Sequence, residues 1–168
     1  MAIMRVFGVI AAVFLISSSL GYSADVVQEG LGGLPGVLLL VGDIKSDAEQ
    51  DGLSKTSIYT DVEHQLRVAG IRTLTREEWS KLPGRPTLSI DIVTQKARGI
   101  ALYIYGVEVS LKEQVTALRN GRSLAASTWE SDVIGNVSET NFAESVRDNI
   151  RSEVDKFINA FRAANPKR

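Results

Sequence analysis

The chain has 168 residues, 44% of them apolar and 23% charged, with a formal net charge of −1 and no cysteine. That length suits one domain, and that composition excludes bulk disorder. Near neutrality without a long run of one sign excludes the dense basic stripe that nucleic acid requires, so no nucleic-acid partner is expected. Without cysteine there are no disulfides, and one histidine, His64, cannot supply a zinc ligand set.

Arg5 precedes an apolar stretch from Val6 to Ile16, and Ser17, Ser18, Ser19, Gly21, Ser23 and Ala24 follow it. A basic start, an apolar middle and small residues at the end read as a secretory signal peptide over residues 1–24. Cleavage is expected after Ala24, with Gly21 and Ser23 as alternatives. The apolar run falls short of the roughly 18–20 residues that cross a bilayer, so membrane association is expected only if the leader stays uncleaved. The expected location is periplasmic or secreted, in a bacterial envelope.

Residues 25–36 form a glycine-rich entry segment holding Gly30, Gly32, Gly33, Pro35 and Gly36. These glycines precede a strand instead of following one, and no Gly-Lys-Ser/Thr comes after them, which excludes a nucleotide loop. A single domain is expected over 37–163, with a polar tail at 164–168. Val37 to Val41 is a continuous apolar run and predicts a strand buried on both faces. Ser54 predicts a helix cap, and Ile58, Val62, Leu66 and Ala69 follow at helical spacing until Gly70 stops the helix. Ile71 to Leu74 predicts a short second strand.

Thr75 and Glu78 have capping-box spacing, which predicts a helical turn over Arg76 to Lys81. Leu88, Ile90 and Ile92 alternate with Ser89 and Asp91, predicting a half-buried strand. From Tyr103 the odd positions Tyr105, Val107, Val109, Leu111 and Val115 keep one apolar face, and Asn120-Gly121 marks a turn. A three-residue loop, Arg119 to Gly121, pairs Val115 with Ala125, Leu111 with Trp129 and Val107 with Val133, keeping apolar against apolar. Gly121 is expected to be left-handed.

Phe142, Val146, Ile150, Val154, Phe157, Ile158 and Phe161 then predict a long amphipathic helix ending before Pro166. The order β-α-β-β-β-β-α is an α+β fold, a mostly antiparallel twisted sheet with two helices packed on one face.

Reactive constellations are sparse. His64 reads as a surface residue. Asp43, Asp47, Glu49 and Asp51 resemble a calcium loop only faintly, because Ile58 stands where the bidentate Glu belongs. Asp91 and Glu108 are the carboxylates a glycosidase reading would pair. Asn136-Val137-Ser138 fits a glycosylation acceptor and doubles as a helix start. No cofactor, metal or catalytic residue is assigned.

The candidate binding surface is Ile100, Leu102 and Ile104 together with Tyr103, Tyr105 and Trp129. The aromatics read as core if helices cover their face and as a groove lining if they do not. The isoleucines and leucine on the opposite face are an apolar patch that a monomer would not leave open.

The segments VLLLVGD, TDVEHQLRVAGIRTL, PTLSIDIV and STWESD, ahead of an amphipathic C-terminal helix, resemble uncharacterised bacterial secreted proteins. In element order the chain resembles the LptE family of envelope-assembly proteins, whose members carry a lipid-bearing cysteine that is missing here. No functional residue carries over from that resemblance; the apolar second face of the sheet leads instead to the expectation of a non-enzymatic envelope protein that binds a protein partner or an apolar ligand through its sheet. A small hydrolase built from scattered Asp, Glu and Ser, and a carrier of a hydrophobic small molecule, are the alternatives.

Overall fold

The computed structural model describes residues 30–97 and 99–166. The expected leader, and the start of the glycine-rich entry, lie outside the described residues.

Strand β1 (Leu38–Val41) runs parallel to β2 (Thr87–Lys96), with Leu39 beside Leu88 and Val41 beside Ile90. Three helices connect them: α1 (Ser46–Gln50), α2 (Lys55–Val68) and α3 (Arg76–Lys81). The Ser54 hydroxyl accepts from the Ser57 backbone N–H at 3.3 Å and caps α2. The capping box of α3 is complete, with Thr75 and Glu78 satisfying each other's backbone N–H groups.

β2 then pairs antiparallel with β3 (Leu102–Ala117), and β3 with β4 (Arg122–Ser138), giving the sheet order β1-β2-β3-β4. A 3-10 turn (Glu139–Asn141) leads into α4 (Phe142–Ala164). The protein is α+β, with a mixed but mostly antiparallel open sheet. Among the described residues no helix is long and apolar enough to cross a membrane.

One face of the sheet is covered. α4 lies across β3 and β4, and α2 packs against β1 and α4. Ile58, Val62 and Leu66 of α2 and Phe142, Val146, Ile150, Val154 and Phe157 of α4 meet Leu39, Leu88, Ile90, Val107, Val109 and Leu111 in one core. Leu31, ahead of β1, is also fully buried there. Asn165 ties that entry to the end of α4: its side chain donates to the Leu31 carbonyl at 2.9 Å and accepts from the Gly33 N–H at 2.8 Å.

Two expectations need correction. Ile71–Leu74 is not a strand of the sheet. It makes one parallel bridge, Val37 to Thr73, through Val37 N–H to Arg72 O (2.9 Å) and Leu74 N–H to Val37 O (2.8 Å). The chain leaves α2 at Gly70 and enters the α3 cap at Thr75, so no room is left to extend a ladder.

The second correction is at the hairpin tip. Leu111 pairs with Trp129 and Val107 with Val133 as expected, but Val115 pairs with Leu124, not Ala125. The register shifts between Leu111 and Lys112, so Thr128 is an extra residue on β4. That bulge takes up one residue, and the loop accordingly spans four residues, 118–121, with Gly121 left-handed at φ +67°.

Candidate functional site

Strand alternation sends every second side chain of the sheet away from α2 and α4, and only at the Thr87 end does α3 reach this face, where Trp79 donates to the Thr87 hydroxyl at 3.0 Å. On β2 these are Thr87, Ser89, Asp91, Val93 and Gln95; their cross-strand partners on β3 are Lys112, Ser110, Glu108, Gly106 and Ile104. The β4 partners of Ser110, Glu108, Gly106 and Ile104 are Glu130, Asp132, Ile134 and Asn136. Rows of side chains therefore cross three strands on the uncovered face.

Two adjacent rows differ sharply in chemistry. The row Val93–Gly106–Ile134 is apolar and open: Val93 is 67% and Ile134 77% exposed, with Ile104 beside them at 48%. The next row, Asp91–Glu108–Asp132, places three carboxylates on neighbouring strands, and Glu130 follows beyond Asp132 on β4. Like charges directly opposite repel one another. Lys112 offsets part of this by donating to Asp91 at 3.1 Å, and Ser89 donates to the same carboxylate at 2.7 Å. One row further on, Ser110 is fully buried, and its hydroxyl has no hydrogen-bond partner among the described residues. The outer edge of this face is β4, a strand of 17 residues.

The six predicted binding residues divide between the two faces. Leu102 and Ile104 lie on the uncovered face, and Ile100 is exposed in the loop that joins β2 to β3. Tyr103, Tyr105 and Trp129 are buried beneath α4 and belong to the core, so they are withdrawn from the binding surface. Tyr103 stacks on Phe142 with centroids 3.8 Å apart, and Trp129 meets Phe157 edge-on at 5.3 Å. Sequence reasoning passed over Val93, Gly106 and Ile134. Their signal was present in the register, because pairing Val107 with Val133 places Gly106 beside Ile134 and Glu108 beside Asp132.

A second polar group fastens one end of the sheet. Tyr103 donates to Asp51 at 2.5 Å, and Lys96 donates to Asp51 at 2.8 Å and to Glu139 at 2.6 Å. Burial, reinforced by the bond to Asp51, pushes the Tyr103 hydroxyl up to about 12. The hydrogen bonds from Lys96 and then Tyr103 hold Asp51 below the usual carboxylate range, and those same acids hold Lys96 above the usual lysine range. Lys96 bridges the two carboxylates, and with Tyr103 the group joins the α1–α2 loop, the sheet and the 3-10 turn.

The remaining candidates are dispersed. Asp43 pairs with Lys55 at 2.8 Å, while Asp47 accepts from the Ala48 N–H at 2.9 Å, so the acids after β1 do not converge. Among the described residues no group of three or more His, Asp or Glu side chains is placed to hold a metal ion. His64 is exposed on α2, 3.0 Å from the Arg67 guanidinium. It lines a cleft of about 830 Å³ between α2 and α4, together with Asp61, Arg151, Asp155 and Arg162.

No family model matches this chain, and no curated protein matches it. Among solved structures it is similar to the PelC dodecamer from Paraburkholderia phytofirmans, at 17% identity and a TM-score of 0.42. That alignment covers 77% of this chain and 92% of the PelC chain.

Proposed function

We propose that this is an exported, non-enzymatic envelope protein that binds a protein partner through the uncovered face of its sheet. The observation that carries the reading is the apolar row Val93–Gly106–Ile134, left open beside three carboxylates on a face that neither long helix covers. Water gains nothing from such a row, and covering Val93 and Ile134 contributes on the order of 25 cal/mol per Å² buried. The leader-like composition of residues 1–24 supports export.

The test is site-directed photo-cross-linking in the native host. A photoreactive residue at Val93 or Ile134 should give one discrete protein adduct, and the same residue at Val68, exposed on α2, should give none. Adducts from Val68 alone, or none from either strand position, would remove the reading. Sequencing of the exported protein should begin at Asp25.

A further inference from the structure

The inference rests on the reading just given and names what the partner must present. Gly106 lies at the centre of the apolar row, between Val93 on β2 and Ile134 on β4. A Cβ built at Gly106 would meet a single neighbouring atom within 4 Å, Ile134 Cγ1 at 4.0 Å, so the space above the glycine is empty. The backbones of β2 and β4 stand two strand spacings apart, about 10 Å. The result is a slot floored by main chain and walled by two exposed aliphatic side chains, wide enough for one large apolar side chain.

Two residues along the strands, about 7 Å away, runs the row Asp91–Glu108–Asp132. Lys112 is engaged with Asp91, while Glu108 and Asp132 have no ion-pair partner among the described residues. A second copy of the chain laid face to face would set these carboxylates against themselves, which disfavours a self-associated occupant.

We propose that the face takes a protein segment carrying one large apolar side chain for the Gly106 slot, with Lys or Arg about 7 Å away for Glu108 and Asp132. Apolar insertion supplies affinity, and the basic group sets orientation along the strands.

The test uses the purified protein and a synthetic peptide, acetyl-Lys-Leu-Lys-Phe-Lys-Leu-Lys-amide, followed through the methyl resonances of Val93 and Ile134. These should shift while Val68 does not, and raising salt should weaken binding. Gly106→Val, which fills the slot, and the pair Glu108→Gln with Asp132→Asn should each weaken binding by about tenfold or more. All three changes lie on the uncovered face, and unchanged core resonances confirm that the variants are folded.

No shift at Val93 and Ile134, or equal affinity in the variants, overturns the proposal. So does heptalysine binding as tightly as the peptide, because the face would then attract any polycation, or self-association of the protein through this face. If cross-linking from Ile134 succeeds in the host while the peptide fails, only the chemistry assigned to the partner falls. If cross-linking also fails, the binding role falls with it.

Discussion

The ring of Tyr105 occupies the space that a side chain at Gly135 would need: a Cβ there would sit 2.6 Å from the Tyr105 hydroxyl and 2.7 Å from Cζ. The two residues are cross-strand partners, and Asn149 of α4 donates to the Tyr105 hydroxyl at 2.8 Å. Gly135 is therefore required for room, so that an aromatic ring from β3 can lie over β4 and reach the helix. Gly135→Ala should displace the ring and destabilise the protein by about 1–3 kcal/mol. Tyr105→Phe keeps the ring and loses one hydrogen bond, about 1 kcal/mol. Urea melts of the two variants check the order, and a Gly135→Ala protein as stable as the parent would contradict it.

Stability should fall at both ends of the pH scale through the Tyr103–Asp51 pair. Asp51 is depressed below its ordinary value of 3.8, so its contribution is present above that value and lost as pH falls through the lower folded one. Tyr103 is raised from 10.0 to about 12, so its contribution is present below pH 10 and lost as pH climbs toward 12. Denaturant melts from about pH 9 to 12 should show this alkaline loss in the parent and a flatter profile in Tyr103→Phe.

Glu153 is a carboxylate on α4 that is only 2% exposed, held by Ser131 at 2.5 Å and by Lys156 at 2.8 Å. Removing the cation leaves a buried charge short of partners. Lys156→Met should cost about 1–3 kcal/mol, less than a fully buried pair because the lysine is half exposed. Adding Glu153→Leu to that variant should recover much of the loss. A thermal-unfolding double-mutant cycle measures it, and strictly additive effects would refute the coupling.

The acidic row should be a liability in the free protein. Glu108→Gln with Asp132→Asn removes cross-strand repulsion and should stabilise the isolated chain by about 0.2–1 kcal/mol while weakening partner binding. Opposite signs for stability and binding separate a binding role from a structural one. A destabilised double variant would mean that the two acids hold the sheet together.

Much of the fold was legible because it rests on local patterns. The stripe from Phe142 to Phe161 could be buried in only one way, and the Thr75–Glu78 box names its own helix start. The inner hairpin register followed from matching apolar faces. The bulge at Thr128 did not, because one inserted residue costs little locally and its benefit lies in long-range packing around Trp129. Ile71–Leu74 misled for a similar reason: a four-residue apolar run suits a strand, but strand formation needs space along the β1 edge that the turn into α3 takes up.

The site divides along the same line. Alternation within each strand assigned Leu102 and Ile104 to one face and Tyr103 and Tyr105 to the other, because side-chain direction is set by the pleat alone. Which face the helices cover, and that Val93, Gly106 and Ile134 stand in one row, was decided only when β2 met β3 in register. A glycine in a strand is silent by itself. It becomes a slot only when pairing brings an aliphatic side chain to each side and no helix fills the space above.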